Sequence, residues 1–275
     1  MKLGNYNTLK INRKVDFGVY LDAGDGVEIL LPGKYLSDNV RVGDEVDVFV
    51  YKDSEDRLIA TTEHPFAVVG EMAYLTVSQV NEIGAFLDWG LQKELLVPYS
   101  EQRQKMRKGK TYLVYIYVDD ATQRIVGTAK IEKYVGNLLP KYHRGDKVDC
   151  IFYKQTEIGY RVIVDNAHYG MLYYDEVHGE IDEENHFAAF VKGVREDGKI
   201  DLTLSDKVEN RVSALAERIM KFISINGGVM TITDKTNPDI IASTFSCSKK
   251  DFKKAIGALY KQKKIVIGDD KITIA

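Results

Sequence analysis

One segment recurs three times along this chain at fixed spacing, and that repetition constrains the fold more than any other feature. Residues 17–32 read FGVYLDAGDGVEILLP and residues 83–98 read IGAFLDWGLQKELLVP, so Gly18 falls on Gly84 and Pro32 on Pro98, both offset by 66. A third copy begins IGYRVIVD at Ile158, where Gly84 maps to Gly159 and Pro98 to Tyr173, both offset by 75. Downstream, GDEVDVFVYKDSEDRLIAT (43–61) matches GKTYLVYIYVDDATQRIVGT (109–128) and then FVKGVREDGKIDLTLS (190–205). Arg57 meets Arg124 at offset 67, and Arg124 meets Lys199 at offset 75.

Each copy reads as short strands. Val46, Val48 and Val50 alternate with Asp47 and Phe49, and Tyr112, Val114, Ile116 and Val118 alternate with Leu113, Tyr115 and Tyr117. A period of two puts one set inside and the other outside. Asp53–Asp56, Asp119-Asp120 and Glu196-Asp197-Gly198 supply hairpin turns. About five short strands in roughly 65 residues is the size of an OB-type barrel. The glycine at 18, 84 and 159 marks a bulge or a close backbone approach. An extra residue there brings Phe17 and Tyr20 out on one face. The Tyr20 position is Phe86 in the second copy and Arg161 in the third, each a flat surface for a base to stack on; the alternative is ordinary barrel residues.

The pattern GVYLD, GAFLD, then LLP and LVPYSE resembles the S-one-type repeat, an OB-fold RNA-binding module. That family usually has a Phe-Gly-Ala-Phe-Val strand and a later Val-His-Ile-Ser. Here Pro32, Pro98 and Tyr173 stand in the histidine slot, and the first aromatic slot is Phe17 but then Ile83 and Ile158, departures that suggest a specialised subfamily.

After residue 206 the character changes. Val208, Val212, Leu215, Ile219 and Phe222 follow helical spacing, and Asn226-Gly227-Gly228 ends that helix. Asn237 caps a second helix starting at Pro238, and Ser248 with Asp251 caps a third that runs to about Lys264 and buries Phe252, Ile256 and Leu259. Ile265–Ile267, a turn at Asp269-Asp270 and Ile272–Ile274 form a hairpin. Three helices and a hairpin resemble a winged helix. Lys249, Lys250, Lys253, Lys254, Lys261, Lys263 and Lys264 lie in or beside the third helix, with Lys250, Lys254 and Lys261 on the face opposite the apolar one. Lysines meet phosphates as point charges and carry little sequence information. Either this face grips a nucleic acid, or it is a solvated surface or a protein contact.

Three S-one-type repeats followed by a winged helix resemble the conserved virulence factor B family of bacterial RNA-binding proteins, as do the strings SCSKKDFKKAIGALYKQKKI and GAFLDWGLQKELLVPYSEQ. The resemblance implies an RNA-binding regulator without catalysis. The expected fold is mainly β with a C-terminal α/β module: barrels at 1–66, 67–136 and 137–206, then a winged helix at 207–275.

Charge distributes the roles. The net charge of -3 hides a balance of +6 over residues 207–275 against -9 over 1–206; the three repeats stand at -4, +1 and -6. A polyanion avoids the acidic modules unless a basic groove offsets them. The second repeat therefore leads, with Phe86, Trp89, Lys93, Tyr99 and the run Arg103, Lys105, Arg107, Lys108, Lys110. Aromatics interleaved with cations suit a single-strand platform; the alternative makes Trp89 a packed strand-end residue and the run a solvated helix. The third repeat offers Tyr160, Arg161, Tyr169, Tyr173 and Tyr174.

Other classes are excluded or weak. The composition, 44% hydrophobic and 29% charged, is globular, and the longest apolar run, Tyr112–Val118, is too short for a membrane span. No secretory signal is read, and Cys150 and Cys247 sit far apart, so a reducing cytoplasm is expected. No HExxH, phosphate loop or nucleophile elbow is present, and His178, Glu180, Asp182 and His186 read as a polar loop, not a metal site. No enzyme activity, metal or cofactor is expected. Single-stranded RNA is the expected partner; a protein-interaction adaptor of the transcription or translation machinery and a DNA-binding regulator remain open.

Overall fold

A computed structural model describes residues 1–37, 39–177, 184–204, 208–268 and 270–275, with side chains omitted over 208–214. Three closed five-stranded barrels precede a small helical region with its own sheet. The first barrel comprises β1 (Tyr6–Val15), β2 (Gly18–Asp22), β3 (Glu28–Pro32), β4 (Glu45–Lys52) and β5 (Leu58–Thr61). The second comprises β6 (Met72–Val80), β7 (Gly84–Asp88), β8 (Leu95–Pro98), β9 (Thr111–Val118) and β10 (Ile125–Thr128). The third comprises β11 (Lys147–Thr156), β12 (Gly159–Val164), β13 (His168–Tyr173), β14 (His186–Val194) and β15 (Ile200–Thr203). In the first, the strands run β1-β2-β3-β5-β4, closed by β4 on β1, and the others repeat that order. The third strand of a barrel pairs with its fifth in parallel, at Leu30 and Ile59 in the first and Leu96 and Val126 in the second. Closure removes the free edges an open sheet would expose.

The repeated glycine is a close approach, and the bulge lies elsewhere. A Cβ on Gly18 would sit 2.2 Å from the Leu31 carbonyl oxygen, and one on Gly84 2.4 Å from that of Val97. The extra residue is on the preceding strand, between Ile11 and Arg13, between Val77 and Gln79, and between Phe152 and Lys154. Asn12, Ser78 and Tyr153 therefore repeat at the same offsets of 66 and 75 as the glycines. Past the glycine, Val19 and Leu21 point into the first barrel, with Tyr20 between them on the outer side.

The chain packs as two compact units, one running from Met1 to Pro140 and taking in Asp149–Met171, the other including Ala188–Ala275 with Lys141–Val148. Within the first unit, barrels one and two share a core. Phe49, expected on the outer face of β4, is fully buried because Trp89 packs edge-on against it, ring centroids 5.7 Å apart. Met72, Ile131, Val135, Ile151 and Ile163 form a second seam, flanked by stacked Tyr115 and Tyr134 at 4.0 Å. Asn166 accepts the Met72 amide at 2.8 Å, and Tyr74 donates to the Phe152 carbonyl at 3.2 Å.

His186 closes this seam. Its Nε2 lies 2.9 Å from the Met72 carbonyl and its Nδ1 meets Asp149. Burial would lower its pKa, but the bonds to Asp149 and Met72 and the nearby carboxylates of Asp149 and Glu71 outweigh burial and raise it above 6.5. A raised folded-state value stabilises the fold below the unfolded value and loses that contribution as pH rises through the folded one. The thermal midpoint is therefore expected to fall as pH rises above about 6.5, and His186→Gln to flatten that decline. An equal slope in the variant would show that the imidazole does not titrate in this link. The remaining members of the sequence cluster, His178, Glu180 and Asp182, lie outside the described residues, and no metal-ligand group occurs among those described.

The C-terminal region holds α1 (Val208–Ile225), β16 (Val229–Met230), α2 (Pro238–Phe245), α3 (Lys249–Lys261), β17 (Ile265–Ile267) and β18 (Ile272–Ile274). The caps are the expected ones: Asn237 accepts the Asp239 amide at 2.9 Å and Ser248 that of Asp251 at 3.2 Å. The third helix stops at Lys261 and not Lys264, because Lys263 turns left-handed at φ 55°. β16 adds an unexpected third strand beside β18. Phe252, Ile256 and Leu259 are buried against Leu215, Ile219 and Ile223; the side chains of Val208 and Val212 lie outside the described residues, as does Asp269 of the hairpin turn. Among the described residues, no helix is long and apolar enough to cross a membrane.

Candidate nucleic-acid interface

Because the bulge and the glycine recur together, three outward positions recur with them. In the first barrel they hold Arg13, Tyr20 and Glu28; in the second Gln79, Phe86 and Glu94; in the third Lys154, Arg161 and Tyr169. Arg13 pairs with Tyr20, Gln79 with Phe86 and Lys154 with Arg161 across the first two strands of each barrel.

The chemistry of each trio differs. In the first, Arg13 places its guanidinium 4.0 Å above the Tyr20 ring and is held there by Glu28 at 2.7 Å. The hydrogen bond to Glu28 raises the Arg13 pKa, and that from Arg13 lowers the Glu28 pKa. In the third, Arg161 lies 4.0 Å over Tyr169. Both flat surfaces are thus covered by a partner from the same barrel. In the second, neutral Gln79 donates to Glu94 at 2.7 Å, and Phe86 has no ring or cation partner among the described residues. The 66-residue offset carries Arg13 and Glu28 onto Gln79 and Glu94, two cleft residues outside the aromatic and basic patterns of the second repeat. Phe17 is 60% exposed and lines a groove with Tyr20 and Arg57.

Phe86 opens onto a cleft of about 520 Å³ between the second barrel and the β4–β5 hairpin of the first. Gln79, Glu94 and Ile83 line it from the second barrel, and Tyr51, Lys52 and Asp56 from the first. Arg124 bridges them, donating from Nε to Asp56 at 2.9 Å, and this bond lowers the Asp56 pKa. Burial pushes the Tyr51 hydroxyl up to about 12. Lys52 makes no hydrogen bond or ion pair with a described residue.

Trp89 corrects the sequence expectation. It is 2% exposed, and its indole N–H donates to the Lys93 carbonyl at 2.5 Å, so its ring offers no face to a base. Lys93 is also engaged: its ammonium donates to the Asp53 carbonyl at 2.6 Å, and burial lowers its pKa. Both are seam residues between barrels one and two. Trp89→Ala should therefore act as a core truncation, costing about 3–5 kcal/mol in urea unfolding; a loss under about 1 kcal/mol would argue against the seam.

Tyr99 is partly exposed and donates its hydroxyl to the Asn81 carbonyl at 2.8 Å. Arg103 is paired with Glu132. Lys105, Arg107, Lys108 and Lys110 are exposed on a loop, not a helix, without ion pairs to described residues. In the third barrel Tyr160 packs edge-on against Phe152 at 6.0 Å, and the Tyr173 hydroxyl meets Asp201 at 3.2 Å and Arg195.

On α3, Phe252, Ala255, Ile256 and Leu259 are buried, so the lysines are forced outward. Lys249 donates to the Thr236 carbonyl at 2.9 Å, and Lys253 pairs with Asp234 at 3.5 Å. Lys250, Lys254 and Lys261 are exposed on one face and make no ion pair with described residues. That leaves three ammonium groups at helical spacing, free to neutralise phosphates.

Comparison with known proteins agrees with this architecture. Residues 3–63 and 69–130 match the S1 domain, and residues 217–274 match the CvfB-like winged helix domain. Both are nucleic-acid-binding kinds of domain. The chain is 29% identical to the uncharacterized protein YitL of Bacillus subtilis (strain 168), over 96% of this chain and 91% of that protein. It is 26% identical to conserved virulence factor B of Staphylococcus aureus (strain N315), over 91% and 86% respectively. Among solved structures, a multidomain protein with nucleic acid binding domains from Streptococcus pneumoniae TIGR4 is 27% identical, covering 99% of this chain and 98% of its own, with a TM-score of 0.42.

Proposed function

Since the chain belongs to the conserved virulence factor B family, with S1 domains and a CvfB-like winged helix domain, we propose that it binds single-stranded RNA and regulates gene expression by doing so. The observation that carries this reading is the lysine face of α3, Lys250, Lys254 and Lys261, unpaired among the described residues, together with Phe86, the uncovered aromatic among the described repeated outer positions. The lysines supply sequence-independent phosphate contacts, and Phe86 supplies stacking that any base can use. Lys105 and Arg107 add two further cations on the second barrel without ion pairs to described residues.

Tyr20 and Arg161 have a smaller part in this reading, because stacking a base there means displacing Arg13 or lifting Arg161 from Tyr169. Titrating fluorescent single-stranded RNA at several salt concentrations tests the whole. Phe86→Ala is expected to weaken binding by about 1–3 kcal/mol without changing the salt slope. Tyr20→Ala should change it by much less. Equal losses from both would remove the distinction between covered and open rings. Stronger binding of duplex DNA than of single strands would favour a DNA-binding regulator instead.

A further inference from the structure

The cleft beside Phe86 is walled by two barrels, and its polar groups are not those of a general phosphate groove. Gln79 occupies one oxygen of Glu94, Oε2, and Oε1 has no partner among the described residues. A carboxylate only accepts hydrogen bonds. Asp56 and Arg124 engage each other and Lys93 is held by the Asp53 carbonyl, which leaves Lys52 as the cation of the cleft that makes no hydrogen bond or ion pair with a described residue. An open ring, a spare acceptor and an ammonium without a hydrogen bond or ion pair among the described residues share a space of about 520 Å³, within the size range of small-ligand pockets.

We propose that this cleft takes one unstacked nucleobase bearing an exocyclic amino group, adenine, cytosine or guanine, and rejects uracil. The base lies on Phe86 and donates its amino group to Glu94 Oε1, and Lys52 meets the attached phosphate. In the same pose uracil presents a carbonyl oxygen where these bases present the amino group, so it sets acceptor against acceptor and leaves Glu94 Oε1 without a donor. The hairpin of the first barrel forms the opposite wall, so the slot belongs to the pair of barrels and not to one alone. This inference rests on reading the second barrel as a nucleic-acid face. The same chemistry fits the base of an RNA strand or of a free mononucleotide.

The test uses the full chain, with the fluorescence of Trp89 as readout, since this sole tryptophan lines the same cleft. The probes are the oligomers rC8 and rU8 and the mononucleotides CMP and UMP, and thermal melting confirms that each variant is folded. Preference for rC8 over rU8 is expected to be about tenfold. Glu94→Gln, whose amide can present either a donor or an acceptor, should bring the two within about twofold. Saturable CMP binding that Glu94→Gln weakens identifies a free nucleotide as the source; preference seen only with oligomers identifies a strand. Equal binding of rC8 and rU8 by the unaltered chain, or a preference that survives Glu94→Gln, overturns the slot while leaving RNA binding intact. Failure of every oligomer to bind, with CMP still binding selectively, overturns the RNA reading and leaves the slot standing.

Discussion

Replacing Lys250, Lys254 and Lys261 together with Glu is expected to weaken single-stranded RNA binding by about a hundredfold at 0.1 M salt and to make the log-log salt slope shallower by about 2. Each phosphate neutralised on a single strand contributes roughly 0.7 to that slope, so three lost contacts give about two decades at this concentration. The three side chains are exposed and make no ion pair with described residues, while the buried face of α3 is built from Phe252, Ala255, Ile256 and Leu259. The fold should therefore survive the change, and near-identical melting curves would establish that. Lys253→Glu provides the internal comparison, because Lys253 already faces Asp234 at 3.5 Å. An unchanged slope in the triple variant would take α3 out of RNA binding and turn attention to a protein partner for the winged helix.

The second large effect concerns stability. Gly84→Ala is expected to cost about 3–5 kcal/mol, because backbone strain and overpacking act at one position. The new Cβ would stand 2.4 Å from the Val97 carbonyl oxygen and 2.9 Å from the Pro98 Cα, both backbone atoms of β8 that no side-chain rotation can clear. The backbone there has φ 159°. Gly24→Ala separates conformation from crowding: at φ 84° and with nothing within 4 Å of its Cβ, it should cost only about 1 kcal/mol. Urea unfolding followed by Trp89 fluorescence measures both. If Gly84→Ala proves no worse than Gly24→Ala, β7 and β8 do not depend on the close approach.

What could be read in the sequence was what each barrel does by itself. The offsets of 66 and 75 located all three barrels, and the period of two separated Val48 and Val50, which are buried in the first, from Asp47. The same period put Phe49 outside, which is correct for its own barrel, but the second barrel covers it. Alternation along a strand carries no signal for a neighbour packed against it, and interleaving with cations does not tell a packed Trp89 from an open one. The repeated glycine alone is compatible with either a bulge or a close approach. Choosing between them required the register, since the bulge sits on the facing strand at Asn12, Ser78 and Tyr153. On α3, helical spacing separated buried from exposed residues. It could not show that Lys249 and Lys253 are held by Thr236 and Asp234, which approach from outside the helix.

The covering of Tyr20 by Arg13 and the stacking of Arg161 on Tyr169 bear on how affinity grows with oligonucleotide length. If RNA binds as proposed, Phe86 is the one uncovered ring among the three repeated outer positions described, and each molecule is expected to hold a single base there by stacking. Lengthening the strand beyond that nucleotide then adds only charge, so its benefit shrinks as salt rises and disappears first in the brine where the seated ring still holds.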